Sequence, residues 1–406
     1  MWIAAIIFTL TYLALAIGHI PKYRLDRTGM ALVGAAAMLV SGVITLPQAY
    51  QAIDGNTILL LFAMMIVAAY IRLAKGFRLV AYWILKRIYE PVPLLAATIF
   101  ISGILSAFFV NDIICLVLTP LIIEIVSRLK LPAIPYLIAV ATSSNIGSAA
   151  SAVGNPQNIL IASLGNLSFR EFLLKLGPIA LIGLALNFLV VYLIYHSQLK
   201  AEKSVEPVKI KPLRYKVNKA VLIKSAVISF LMLIAFLAGV PLPLASSGAA
   251  AMLLITRRVN PSKVYRFVDW ELLMLFAGLF VLVQGVEVSG LMEKMFSYVA
   301  HFPFENIFVL SSITIVLSNI VSNVPAVLLL KPIILELKDV TKGWYFLAMV
   351  STLAGNLTIL GSVANLIVVQ IARRENIKIS FMEYLKVGLP VTLITILVGL
   401  LFFSFY

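Results

Sequence analysis

The stretch SSNIGSAASAVGNPQN, residues 143–158, decides how the chain folds. It sits in the middle of an apolar run, 133–163, that is too long for one simple membrane crossing. Pro156 lacks an N–H and breaks the helical ladder. Gly147 and Gly154 let the chain unwind and let another group approach the backbone. Backbone set free at membrane depth must be satisfied or must line a wet cavity. The run therefore predicts a broken helix with a polar gap. A second long run, 343–372, is interrupted in the same way, by Ser351-Thr352, Gly355-Asn356 and Gly361-Ser362-Val363-Ala364-Asn365.

The rest of the chain suits that reading. Of its 406 residues, 62% are hydrophobic and 12% charged, where a soluble domain runs near half apolar and a quarter charged. A soluble globular enzyme, a disordered chain and a disulfide scaffold are excluded. One cysteine, Cys115, and three scattered histidines, His19, His196 and His301, offer no disulfide and no metal-ligand spacing. The sequence has no P-loop, no His-Glu-x-x-His and no Gly-x-Ser-x-Gly. The net charge of +15 would hint at nucleic acid in a soluble protein. Here it reads as topology, basic residues holding loops on the cytoplasmic side, with no nucleic-acid partner.

Membrane spans are expected near 2–20, 28–46, 56–74, 133–163, 172–196, 220–238, 243–256, 270–290, 343–372 and 383–405. The first does not read as a signal peptide, because it lacks a basic leading segment and a small-residue cleavage pattern. Two further stretches, 92–128 and 304–338, carry a polar break at the centre, Val110-Asn111-Asp112 in one and Ser318-Asn319 through Ser322-Asn323-Val324-Pro325 in the other. Each half is shorter than a comfortable span. Each stretch is either a re-entrant hairpin or one kinked crossing, and charge chooses between them. With an outside N-terminus, ten crossings and two hairpins, 26 of the 32 Lys and Arg residues fall on the cytoplasmic side. Making 92–128 a full crossing would put the basic linker 197–219 outside, against the positive-inside rule.

The chain also repeats itself. Ile53-Asp54 through Leu61-Phe62-Ala63 resembles Val268-Asp269 through Leu275-Phe276-Ala277. Asn111, Pro120 and Glu124 recur 212 positions later as Asn323, Pro332 and Glu336. Ser143, Gly147, Gly154 and Asn158 answer to Ser351, Gly355, Gly361 and Asn365 at offsets of 208 and 207. Residues 1–196 and 220–406 thus read as two copies of one unit, joined by the linker 197–219. Each copy has five crossings and one hairpin. An odd number of crossings inverts the second copy and brings the hairpin tips together near the midplane. This all-α, polytopic, inverted-repeat plan is that of secondary transporters.

Unwound carbonyls and Asn or Ser oxygens suit a small hard cation such as Na⁺. Half-helix N-termini after Asn111 and Asn323 suit an anion. Asn and Ser are also good N-caps wherever a helix restarts. The candidate solute ligands are Asn111, Asp112, Asn145, Asn155, Asn158, Ser322, Asn323, Asn356 and Asn365. The candidate Na⁺ ligands are Asn111, Ser143, Ser144, Gly154, Asn323, Thr352, Gly361 and Ser362. Asp112 stands out, because a midplane carboxylate costs on the order of 3 kcal/mol and is functional by default. It is the candidate proton carrier, with two other roles open to it, charge for a cation site or a helix N-cap in a water-filled vestibule; the second tip has Val324 in its place. Lys331 is open to meet an anion, to pair with an acid or to snorkel to the interface. Glu287 is a weaker candidate. No cofactor is expected beyond Na⁺ as a coupling ion.

Phe108-Phe109-Val110-Asn111-Asp112 with Thr119-Pro120, the run 143–158, Ser322-Asn323-Val324-Pro325-Ala326 and the run 351–366 together resemble the ion-transporter superfamily. Within it they are similar to the permease branch of arsenite/antimonite efflux proteins, D-type sodium/proton antiporters and citrate or divalent-anion carriers. The resemblance implies a scaffold part and a moving transport part, elevator-type exchange and a homodimer. It also implies that tips and broken helices hold substrate and Na⁺. Dicarboxylate carriers of this superfamily have Ser-Asn-Thr at both tips. The tips here, Val110-Asn111-Asp112 and Ser322-Asn323-Val324, point toward the arsenite and antiporter side. The expected protein is a secondary transporter of a small anion or oxyanion, arsenite-like or carboxylate-like, coupled to H⁺ or Na⁺. It lies in the inner membrane with both termini outside. A sodium/proton antiporter without an anion substrate is the second expectation.

Overall fold

A computed structural model describes residues 1–406 apart from 18, 21–24, 78, 80, 81, 83–87, 202–217, 293, 295–303 and 406. The first half contains α1 (Trp2–Ile17), α2 (Arg27–Val40), α3 (Leu46–Ala52), α4 (Gly55–Leu73), α5 (Pro91–Phe108), α6 (Asn111–Arg128), α7 (Ala133–Ser148), α8 (Pro156–Leu164) and α9 (Phe169–Ala201). The second contains α10 (Lys219–Leu237), α11 (Leu242–Leu254), α12 (Pro261–Tyr265), α13 (Trp270–Val288), α14 (Ile307–Val321), α15 (Asn323–Leu335), α16 (Val340–Ala354), α17 (Val363–Arg374) and α18 (Phe381–Ser404). A two-residue antiparallel ribbon, His19–Ile20 on Leu25–Asp26, is the only sheet among the described residues. Six of the described helices, α4, α5, α9, α10, α13 and α18, are long and apolar enough to cross a membrane. The protein is an all-helical, polytopic membrane protein.

The helices start where their caps dictate. Asp54 caps α4, its Oδ1 accepting from the N–H groups of Asn56 at 2.9 Å and Thr57 at 3.3 Å. Asp269 caps α13 by accepting from the Leu272 N–H at 2.9 Å. A side-chain acceptor there satisfies N–H groups that have no partner inside the helix. Run 133–163 is two helices, α7 and α8, and run 343–372 is α16 and α17 with a 3₁₀ turn, Ile359–Gly361, between them.

The packing falls into two groups. Helices α1–α4 and α10–α13 pack mainly on one another, and α5–α9 and α14–α18 do the same. Bridges between the groups include α13 on α15 and α1 on α14. Tyr12 Oη donates to the Pro325 carbonyl at 3.3 Å across this seam, and Lys331 pairs with Glu287 at 3.2 Å. Lys331 thus meets an acid, one of the three roles its position allowed.

Several boundaries differ from the sequence reading. The arms of the first hairpin, α5 and α6, are 18 residues each, about 27 Å and long enough to span; they are not short. The second hairpin's arms, of 15 and 13 residues, are the short pair. The stretch 28–46 is not one crossing. Its helix stops at Val40, Gly42 turns with φ +70°, and α3 follows with a capping box of Thr45 and Gln48. Helix α9 continues past 196 to Ala201, and most of the linker 197–219 lies outside the described residues.

Helices α5 and α7 cross where Gly147 faces Gly103. A Cβ on Gly147 would come within 2.0 Å of the Gly103 carbonyl oxygen, so only glycine lets the backbones approach this closely. Gly147→Ala is expected to lower the melting temperature of the detergent-solubilised protein sharply, by the 1–3 kcal/mol or more of an overpacked core, on the order of several degrees. Gly248→Ala, where a Cβ meets nothing within 4 Å, is expected to leave it unchanged or slightly raised. Equal melting temperatures for the two variants would contradict this packing.

Candidate functional site

The polar gap of each broken helix is closed by its own asparagine. Asn158 Nδ2 donates to the carbonyls of Ser148 at 3.1 Å and Ser151 at 3.0 Å. Asn365 Nδ2 donates to the carbonyls of Gly355 at 2.7 Å and Thr358 at 3.0 Å. Donor and both acceptors recur 207 positions later. The caps recur too: Asn155 Oδ1 accepts from the Asn158 N–H at 2.8 Å, and Ser362 Oγ accepts from the Ala364 N–H at 3.2 Å. The offset sets Ser148, not Gly147, opposite Gly355, a register one residue away from the sequence alignment. Both asparagines are fully buried, and three of the four carbonyls they answer, those of Ser148, Ser151 and Gly355, belong to buried residues.

Asn145 joins the two gaps. Its Oδ1 accepts from Asn111 Nδ2 at 2.9 Å and Ser362 Oγ at 3.0 Å. Its Nδ2 donates to Asn356 Oδ1 at 2.9 Å and Asn365 Oδ1 at 3.0 Å. Four bonds exhaust what an amide offers. Thr352 extends the network, donating to Asn158 Oδ1 at 3.1 Å and accepting from Asn155 Nδ2 at 3.2 Å. Asn145, Asn155, Asn158, Thr352, Asn356 and Asn365 therefore form a buried frame whose polar groups are largely spent on one another.

Other candidates face open space. A cavity of about 80 Å³ is lined by Asn111, Asp112, Pro156, Gln157, Ser322, Asn323, Val324, Pro325, Ser362 and Val363, together with Leu15, Arg27, Leu272 and Leu275. The junctions of α5 with α6 and of α14 with α15, called the two tips below, thus meet both broken-helix restarts in one chamber. The Oδ1 atoms of Asn111 and Asn323 are buried and have no hydrogen-bond partner. Two orphaned carbonyl oxygens at such a place are open ligands for a cation or a donor on a solute. The N-termini of α6, α8, α15 and α17 all end here. Each carries the equivalent of about half a positive charge, so the backbone makes the chamber attractive to an anion. Among the described residues that line it, Asp112 is the only acidic side chain and Arg27 the only basic one.

Ser322 holds the second tip with φ +78° and ψ 161°, a region other than glycine rarely enters. Gly154 and Gly361 stand where a Cβ would meet Ser148 O at 2.3 Å and Asn319 Oδ1 at 2.7 Å. The Gly154 carbonyl accepts from the Asn111 N–H at 2.9 Å, fixing the first tip. Ser143 and Ser144 are elsewhere. Ser143 Oγ bonds Ser102 Oγ, and Ser144 Oγ lies 3.0 Å from Cys115 Sγ, inside helix packing and off the chamber wall. Arg27 and Gln157 were not among the sequence candidates. In sequence Arg27 is one of the basic residues that fall on the cytoplasmic side.

Residues 3–354 match the family model described as citrate transporter. The chain belongs to the citrate transporter family. Similar proteins include the silicon efflux transporter LSI3 of Oryza sativa subsp. japonica, 31% identical over 94% of this chain and 93% of that one. The putative transporter arsB of Dictyostelium discoideum is 28% identical over 98% of this chain and 90% of its own. A 46 kDa membrane protein of Mycobacterium leprae is 29% identical over 97% and 96%. This citrate transporter family member is a membrane transporter and not an enzyme.

The frame and the chamber respond differently to substitution. Asn158→Ala and Asn365→Ala each strand one buried carbonyl, that of Ser148 or Gly355, because the Ser151 and Thr358 carbonyls still accept from the N–H groups of Gly154 and Gly361; each is expected to destabilise by about 1–3 kcal/mol. Ser322→Gly releases strain and is expected to leave stability unchanged or raise it by about 1 kcal/mol. Thermal unfolding of the three purified variants checks the order; an unaltered Asn158→Ala or Asn365→Ala would refute the role given to that amide.

Proposed function

We propose that the protein is a secondary active transporter that carries a small anion or oxyanion-type solute through the chamber, coupled to H⁺ or Na⁺. The observation that carries the reading is the meeting of four half-helix N-termini with two unpartnered asparagine oxygens in one cavity. The helix ends attract the anion. Asn111 and Asn323 offer oxygens to Na⁺, and Asp112 offers a carboxylate to a proton or to the coupling cation. A chamber of about 80 Å³ suits a compact solute. The silicon named for one relative also favours a small solute over a six-carbon tricarboxylate.

The reading includes an inverted repeat of residues 1–196 and 220–406, supported by hydrogen bonds that recur at an offset of 207. It includes elevator movement of the group α5–α9 and α14–α18 against the group α1–α4 and α10–α13, supported by the way packing divides between them. By the charge count, both termini face outside in the inner membrane. A homodimer follows from the family resemblance. Elevator movement would break the Lys331–Glu287 pair in each cycle.

A sodium/proton antiporter without an anion substrate is the second reading, favoured by Asp112 beside the two orphaned oxygens. Proteoliposomes separate the two. The lead reading expects saturable uptake and counterflow of arsenite, silicate, sulfate or citrate. The second expects the lumen to change pH on Na⁺ addition alone. Asp112→Asn is expected to fold normally and to lose or uncouple flux. A variant with wild-type flux and unaltered pH dependence would remove Asp112 from the mechanism.

A further inference from the structure

Arg27 is the first residue of α2, and α2 belongs to the packing group that lies opposite the hairpins and broken helices. Its neighbour Asp26 is spent on the cap: Asp26 Oδ1 accepts from the Gly29 N–H at 2.8 Å. The Thr28 hydroxyl donates to the Glu271 carbonyl at 3.2 Å, tying the starts of α2 and α13 together. Asp269 Oδ1 is occupied by the Leu272 N–H. Among the described residues Arg27 makes no ion pair and no hydrogen bond through its guanidinium, although Asp26, Asp112, Asp269 and Glu271 all stand on elements around the chamber. A positive side chain at a helix N-terminus is also unfavourably placed with respect to the dipole. Arg27 is half-buried and lines the same cavity as the N-termini of α6, α8, α15 and α17, and its charge has no ion-pair partner among the described residues.

We infer that Arg27 supplies the specificity-determining contact for the anionic group of the transported solute, and that it does so from the opposite packing group. This rests on the transporter reading above. The guanidinium fork matches an oxyanion or carboxylate bidentately. The tips and restarts then surround the rest of the solute. Because Arg27 does not belong to the group that carries the tips, movement between the groups separates it from the solute. The contact therefore exists only with the chamber at the α2 and α13 starts, the cytoplasmic end by the charge count. The solute is held more tightly on that side than on the other, by the worth of one charge-assisted fork.

The test uses the purified full-length protein with sulfate, arsenate and citrate as charged probes, and arsenous acid, uncharged near neutral pH, as the neutral one. Wild type is expected to melt at a higher temperature with at least one anion. Arg27→Gln is expected to bind that anion about ten- to a hundredfold more weakly, and Arg27→Lys, which keeps the charge but not the fork, to fall between. In oriented vesicles Arg27→Gln is expected to raise KM on the cytoplasmic face and leave the outer face unaltered. Equal anion affinity in wild type and Arg27→Gln overturns the inference; should Arg27→Gln fail to fold, wild-type affinity in Arg27→Lys overturns it. Stabilisation by arsenous acid alone, equal in wild type and Arg27→Gln, overturns the Arg27 assignment while the transporter reading stands. A KM raised equally on both faces overturns the one-sided contact. No stabilisation by any probe removes the anion site, and absence of flux in proteoliposomes as well removes the transporter reading with it.

Discussion

The architecture depends on a single constraint: carbonyls freed in the middle of a membrane must find donors. Two helices stop and restart inside the protein, and each exposes a set of backbone groups that lipid cannot answer. Asn158 answers the first set and Asn365 the second, each by bridging two carbonyls across its own gap. Once the gaps are closed, the restarted helices can point their N-termini inward without unfolding. The chamber is the consequence. It consists of what remains unsatisfied after the frame has taken its share: first-turn N–H groups, two asparagine oxygens, one carboxylate and one guanidinium.

This division of labour explains why equally polar residues do different work. Asn145 makes four hydrogen bonds and has none to spare. Asn111, one bond away from it, keeps a free oxygen. Both are buried asparagines at helix ends, and nothing in their immediate sequence tells them apart. Fully satisfied buried networks rigidify what they surround. A rigid frame next to a small set of open ligands is what selective binding of a small solute needs.

Much of this was legible in the chain. Pro156, Gly154 and Gly361 inside long apolar runs forecast the breaks, because those residues cannot continue or tolerate a packed helix there. The recurrence of Asn158 as Asn365 pointed to the same device used twice. What could not be read was three-dimensional. Ser143 and Ser144 share the polar run with Asn145, but helical spacing turns them toward Ser102 and Cys115 instead of the chamber. Arg27 lies 84 residues before Asn111; an arginine between two apolar runs reads as a loop charge until tertiary packing carries the start of α2 to the tips. The stop after Val40 was hidden because Gly42 and Pro47 sit in an otherwise apolar stretch of crossing length.

The central claim is that one chamber, walled by both tips and both helix restarts, receives the solute. A cryo-EM map of the protein in lipid nanodiscs, recorded with the solute that gives saturable flux, tests it most directly. The account predicts density for that solute between Asn111 and Asn323, bordered by Gln157 and Ser362. Density at any other place, with the two tips apart and no shared chamber between them, would contradict it.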